Sequence, residues 1–253
     1  MKIITAMYSD IGTRKDTNQD SACITTATYK YGTACLALIC DGMGGLEKGE
    51  LASATVIQEF DRWFRLDLPK ILNKEFQLEL IREQWNRLIF SLNMKISQYG
   101  KEQGIRLGTT ITGVLLINEH YICGNVGDSR LYQLSDTLIQ VTKDHTIVAR
   151  DIEVGRITKE EAKVDPRRNV LLQCIGASNY VKADYFTGSL QKGQMLLLCS
   201  DGFRHEVTEE EIYDTLSKAE DERLEEALRD LTELNMKRGE KDNITSVIIK
   251  RAT

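Results

Sequence analysis

The segment ACLALICDGMGG, residues 34–45, decides how the rest of the chain is read. Seven small and apolar residues run without a break and stop abruptly at Asp41-Gly42. A run of that length, bounded by a turn signal, predicts a strand buried on both faces. A carboxylate then stands where the buried run meets the surface. The same punctuation recurs along the sequence: YICGNVG leads into Asp128, LLLCS leads into Asp201-Gly202, and Asp242-Asn243 precedes the run from Ile244 to Ile249. A fifth aspartate, Asp20, opens an apolar stretch at residues 21–28. Asp-Gly is a favoured hairpin turn because both residues tolerate positive φ. Taken singly, each of these sites reads as a turn. Yet DGMGG is longer than a hairpin needs, and neighbouring strands can deliver their terminal carboxylates to one sheet edge.

Working outward, strands are predicted near 2–8, 21–28, 34–40, 111–117, 120–127, 129–134, 183–189, 194–200 and 244–250. Helical spacing appears from Glu47 to Phe64, with Leu51, Val56, Phe60 and Phe64. From Phe76 to Tyr99 the series Leu78, Ile81, Trp85, Leu88, Leu92, Ile96 and Tyr99 alternates steps of three and four, the stripe of a long amphipathic helix. DLPKILN, residues 67–73, reads as a short loop joining two antiparallel neighbours. Thr208 and Glu211 form a capping box ahead of Ile212 and Leu216, and Leu224, Leu228, Leu231 and Leu234 mark a further helix. Strands on both sides of helical pairs argue for the α+β class. Residues 143–172 differ in texture: they are charged and poor in apolar runs, with a capping box of their own at Thr158 and Glu161. They read as a small subdomain laid on the main body.

The 253 residues carry 33 basic and 38 acidic side chains, a formal charge of −5, and two prolines. There is no basic stripe for nucleic acid, and no apolar run long enough to span a membrane. The N-terminal residues lack a signal-peptide pattern. The six cysteines form no C-x-x-C pair and sit mostly in apolar runs, as buried reduced thiols. Together these features predict a cytoplasmic protein.

Carboxylates gathered at one spot raise one another's pKa, and a cation relieves the conflict. Oxygen-only ligands select hard ions, Mg²⁺ or Mn²⁺. Zinc prefers His or Cys, and His120, His145 and His205 are the only histidines. A carboxylate shared by two such ions places a hydroxide nucleophile between them while the ions neutralise a transferring phosphoryl group.

In order along the chain, TNQDS (17–21), LICDGMGGLEKGELAS (38–53), GTT (108–110), GNVGDSRLY (124–132), TKDHT (142–146), PRRNVL (166–171), SDG (200–202) and KDNIT (241–245) resemble the metal-dependent Ser/Thr protein phosphatases, PPM or type 2C, in their bacterial branch. Each fragment alone is weak; the ordered series is specific and spans nearly the whole chain. The resemblance implies one catalytic domain over 1–253. It implies a four-layer αββα sandwich, two antiparallel β-sheets flanked by antiparallel helix pairs, with residues 143–172 as a flap that touches substrate. Carried over by position, Asp41 bridges two Mn²⁺ or Mg²⁺ ions, Gly42 supplies a backbone carbonyl, and Asp201 and Asp242 hold the first ion. Asp20 holds metal-bound water, and a third, weaker ion uses Asp128 with Asp201. His145 takes a structural hydrogen-bonding role.

The implied activity is hydrolysis of phosphoserine and phosphothreonine in proteins by in-line attack. Phosphorylated proteins and a cognate Ser/Thr kinase are the implied partners, and the absence of an exposed heptad seam predicts a monomer. The sequence departs from the family twice. Met43 stands where the eukaryotic branch carries a His, and Met donates no proton. The phosphate-binding Arg of the family falls on Lys15, with Arg14 beside it, so either residue is a candidate. The competing reading is a non-catalytic phosphoprotein-binding or regulatory module on the same fold. Such a module would normally have lost metal aspartates, and here Asp41, Asp128, Asp201 and Asp242 are all present.

Overall fold

The computed structural model describes residues 2–30, 32–43, 48–72 and 78–252. Ten strands form two five-stranded sheets in which every pairing is antiparallel. The first has the order β1 (Ile3–Asp10), β10 (Ile244–Arg251), β9 (Met195–Cys199), β6 (Arg130–Leu134), β7 (Leu138–Gln140). The second runs β2 (Ser21–Tyr29), β3 (Gly32–Cys40), β4 (Ile111–Ile117), β5 (His120–Val126), β8 (Asp184–Ser189).

The unbroken apolar run of β3 has a simple cause. Leu36, Leu38 and Cys40 point at helices, while Cys35, Ala37 and Ile39 point at the other sheet. With both faces covered, neither face needs polar residues. Three apolar layers follow. One lies between the second sheet and α1 (Gly49–Leu66) with α3 (Leu78–Gln103). One lies between the first sheet and α6 (Glu209–Lys218) with α7 (Leu224–Arg238). The third, containing Val114, Leu116, Leu131, Leu196, Leu198, Val247 and Ile249, joins the sheets. This is the expected helix–sheet–sheet–helix sandwich.

The helices of each pair are antiparallel. Glu59 of α1 pairs with Lys95 of α3, whereas Trp63, four residues further on, meets Gln84 and Trp85. Likewise Arg238, closing α7, binds Glu211 in the first turn of α6. Thr158 and Thr208 both form complete capping boxes, as the sequence predicts.

Two expectations are corrected, and two elements have no counterpart in the sequence reading. Leu51 is exposed and Ala52 takes its place in the buried stripe of α1. Residues expected as a loop form α2 (Leu68–Leu72); Pro69 falls in the first turn, where its missing N–H has no partner to lose. β7 has three residues, too few to show a period. The flap holds α4 (Ile147–Glu153), capped by Thr146, besides α5 (Lys159–Val164). The expected helix starts at Glu47 and Phe76, the end of the expected loop at Asn73, and the GGLE portion of the glycine-rich stretch lie outside the described residues.

Candidate metal centre

Strand register assembles the site. In β2–β3, Ser21 pairs with Cys40; one step further along the same end stand Asp20 and Asp41. In the other sheet Cys199 pairs with Arg130 on one side and Ser246 on the other. Two steps beyond come Asp201 and Asp128, and Asp242 precedes Ile244 of β10. Five aspartates spread over more than two hundred residues of sequence thus reach one end of the inter-sheet layer.

Backbone packing fixes them there. Gly42 and Gly202 do not adopt the positive φ of a hairpin turn. They are glycines because a Cβ would stand 2.4 Å from the Gln19 carbonyl oxygen and 2.3 Å from the Asn243 carbonyl oxygen, respectively. Asp41 is held through its main chain. Its N–H donates to Thr110 Oγ1, and its carbonyl accepts from the Thr110 N–H and the Thr109 hydroxyl, all at 2.9 Å. Thr110 in turn bonds the Ser129 hydroxyl at 2.8 Å. The GTT and GDSR segments therefore serve as a frame for Asp41. Asn243 laces the loop before β2 to the Asp242 turn: its amide donates to the Ile11 carbonyl, and its Oδ1 accepts from the Gln19 N–H. His145 accepts at Nδ1 from the Gly127 N–H and from Gln173, and faces Asp184 at Nε2, a structural clasp between flap and body.

The side chains are in electrostatic conflict. Burial pushes the Asp41 carboxyl well above its usual range, and the charges of Asp20, Asp201, Asp128 and Asp242 push it further. Burial raises Asp20 to about 7; the Thr245 and Ser200 hydroxyls beside it oppose this, while Asp201 and Asp242 add to it. Neither Asp20 oxygen has a hydrogen-bond partner of good geometry. Burial and Asp201 raise Asp128 to about 7 against the opposing charges of Arg204 and His205.

Such a donor set fits a hard divalent cation. Every candidate ligand is an oxygen, the buried carboxylate of Asp20 is orphaned, and His145 and His205 are engaged with Asp184 and Glu240. Among the described residues, no group of three or more His, Cys, Asp or Glu side chains stands in a geometry that could hold a metal ion. The fit rests on donor chemistry and on the unpaired oxygens.

The two candidate phosphate ligands separate. Lys15 Nζ lies 2.7 Å from Asp242 Oδ1, whereas Arg14 is exposed. Burial alone would lower the Lys15 ammonium, but the bond to Asp242 and the charges of Asp41 and Asp201 outweigh it and raise its pKa.

Several site residues have no role in the sequence reading, Arg130 and Asp144 inside the quoted fragments and Arg204, His205 and Glu240 outside them. Arg130 grips Asp144 with two bonds, Nε to Oδ1 at 2.9 Å and Nη2 to Oδ2 at 2.7 Å. Arg204 lies beside Asp128, and His205 bridges Asp201 Oδ2, at 3.5 Å, to Glu240 Oε2, at 2.9 Å. Glu240 Oε1 accepts from the N–H groups of Lys241 and Asp242, shaping the turn that carries Asp242.

The topology and the acidic, oxygen-only cluster at one end of the sandwich fit the class of metal-dependent hydrolases. The profile of the family described as Protein phosphatase 2C matches residues 12–244. Serine/threonine phosphatase stp of Listeria welshimeri is 33% identical over 219 residues, covering 85% of this chain and 84% of that protein. The solved structure of the S. agalactiae serine/threonine phosphatase superposes with a TM-score of 0.86 at 30% identity, over 99% of this chain and 100% of that one. The catalytic domain of serine threonine protein phosphatase PstP, solved in complex with two manganese ions, gives 0.77 at 29% identity, over 99% of each chain. The chain belongs to the protein phosphatase 2C family, whose members are metal-dependent protein serine/threonine phosphatases.

Proposed function

We propose that this phosphatase hydrolyses phosphoserine and phosphothreonine on proteins at the Asp41–Asp201–Asp242 cluster, with two Mn²⁺ or Mg²⁺ ions as cofactors. The observation that carries the reading is the convergence of five aspartates, one of them a buried carboxylate with no hydrogen-bond partner, at one end of the inter-sheet layer. When bound, the ions supply charge neutralisation at the phosphoryl group and activation of a water. Asp41, at the end of β3, would be shared by the two ions; the Gly42 carbonyl would hold one, and Asp201 and Asp242 the other. Asp20, its oxygens otherwise unsatisfied, would orient water. Lys15 faces the cluster as the cation available to a substrate phosphate, a point charge rather than a bidentate fork. Met43 holds no proton to give to the leaving group.

The same reading makes phosphorylated proteins the substrates, a Ser/Thr kinase the opposing enzyme, and a monomer in the cytoplasm the working form. In support, no helix of the described residues is long and apolar enough to cross a membrane. The test is hydrolysis of p-nitrophenyl phosphate and of a phosphothreonine peptide with Mn²⁺ and with EDTA. Turnover that is indifferent to EDTA overturns the reading.

A further inference from the structure

The family resemblance puts a third ion between Asp128 and Asp201, but in this chain that position is faced by a guanidinium. Arg204 ends the single turn Asp201–Phe203, and its side chain is only 14% exposed. Its Nη2 donates to the Asp128 carbonyl at 3.1 Å and lies 3.9 Å from Asp128 Oδ2. It also lies 3.7 Å from Asp144 Oδ2. Asp144, however, is already gripped by Nε and Nη2 of Arg130, whose remaining nitrogen, Nη1, donates to the Tyr132 hydroxyl. Arg130 and Asp144 thus satisfy each other's hydrogen bonds, and Arg204, whose charge Asp144 also feels, is the guanidinium that faces Asp128. Its Nε is buried and has no partner, so charge more than a saturated hydrogen-bond set ties Arg204 to this place. One residue on, His205 stands 3.5 Å from Asp201 on the other side of the same position.

We propose that Arg204 is a built-in cation that takes the place of a third divalent ion at Asp128, so that this phosphatase works with two ions. The inference rests on the two-ion reading given above. An ion bound to Asp128 at about 2.1 Å would sit within roughly 6 Å of the guanidinium in a poorly solvated site, where like charges repel strongly. A lysine could escape by losing its proton; an arginine cannot. The sequence therefore stations a permanent positive charge where other members recruit one from solution.

The experiment is Mn²⁺ stoichiometry on the full chain, by isothermal titration and native mass spectrometry. The wild-type protein should bind two ions, and Arg204→Ala should bind three. Asp128→Asn, in the wild-type background, should still bind two, because Asp128 holds no ion there. This second variant decides the matter even if Arg204→Ala fails to fold. Three ions on the wild-type protein, an ion lost in Asp128→Asn, or an unchanged count in Arg204→Ala each overturns the proposal while leaving the phosphatase reading intact. A protein that binds no Mn²⁺ removes both.

Discussion

Asp41 and Asp144 stand partly covered at the same end of the sandwich, each within electrostatic reach of Asp128. Burial pushes both carboxyls upward, yet Asp41 ends well above the usual range and Asp144 below it. The difference is what surrounds them. Asp144 meets Arg130 in two hydrogen bonds and Arg204 at 3.7 Å. Asp41 meets Asp20, Asp201, Asp128 and Asp242. One region carries its own counter-charge and forms a rigid frame. The other is left short of positive charge, a state that binding a cation relieves. Stability is given up where an ion is wanted and kept where geometry must hold.

The largest effect that can break this contrast is on activity. Asp41→Ala should lower kcat/KM for p-nitrophenyl phosphate at saturating Mn²⁺ by roughly 10³-fold or more, since it removes charge stabilisation and ion binding together. Its metal-free form should unfold at the same or higher urea concentration than wild type, because a repelling carboxylate is gone. Arg130→Ala should do the reverse in the absence of metal. Leaving Asp144 buried and half-paired costs about 3 kcal/mol, the low end of the usual range because Arg204 remains nearby. Equal destabilisation of the two metal-free variants would erase the distinction between frame and centre.

The same contrast sets a pH dependence. Asp20 titrates at about 7 in the folded metal-free protein, against an ordinary 3.8. Between those values the folded state binds more protons than the unfolded one, so metal-free stability falls as pH rises, and the loss is complete above about 7. Asp144 has the opposite sign: its contribution is present above the ordinary value and lost as pH falls through its depressed one. Calorimetry in EDTA should therefore show Tm dropping from about pH 5 to about pH 8 as the cluster charges. Mn²⁺ held at one concentration throughout, about 100 times its Kd at pH 7, adds ~2.7 kcal/mol at that pH, and the gain in Tm should be larger at higher pH, where the ionised carboxylates bind it more tightly. A gain independent of pH would mean that the ions do not bind the raised carboxylates.

The frame and the centre also differ in how far the sequence reveals them. The aspartates are legible because each stands at one end of an apolar run, Asp41, Asp128 and Asp201 after it and Asp20 and Asp242 before it, and burial of both faces of β3 forces such a run to be continuous. Arg204, His205 and Glu240 sit in polar stretches that look like solvated surface, and the fragments that hold Arg130 and Asp144 do not show that the two pair. Nothing local tells a buried ion pair from an exposed one; only the register that sets Arg130 and Ser246 on either side of Cys199 brings them inward. Thr109 and Thr110 were visible as a short GTT fragment, but their work on the Asp41 backbone depends on a contact across about seventy residues. α2 was hidden by Pro69, a breaker in mid-helix and harmless in a first turn.

The smallest effect tests the one lysine that stands between the two regimes. Lys15 pairs with Asp242 at 2.7 Å, while its neighbour Arg14 is exposed. On the proposed reading Lys15 gives the substrate phosphate a charge-assisted hydrogen bond, so Lys15→Ala should raise KM for a phosphopeptide on the order of tenfold. Arg14→Ala should leave KM within about twofold, as expected for a solvated surface charge. On the same reading Lys15 competes with an ion for Asp242, so its removal should tighten Mn²⁺ binding while it weakens substrate binding. A purely structural lysine would give a lower Tm with neither constant moved, and a phosphate ligand distant from Asp242 would move KM alone. Opposite shifts in the two constants would place Lys15 in both roles: substitute cation while the centre is empty, and substrate ligand once the ions have taken Asp242 from it.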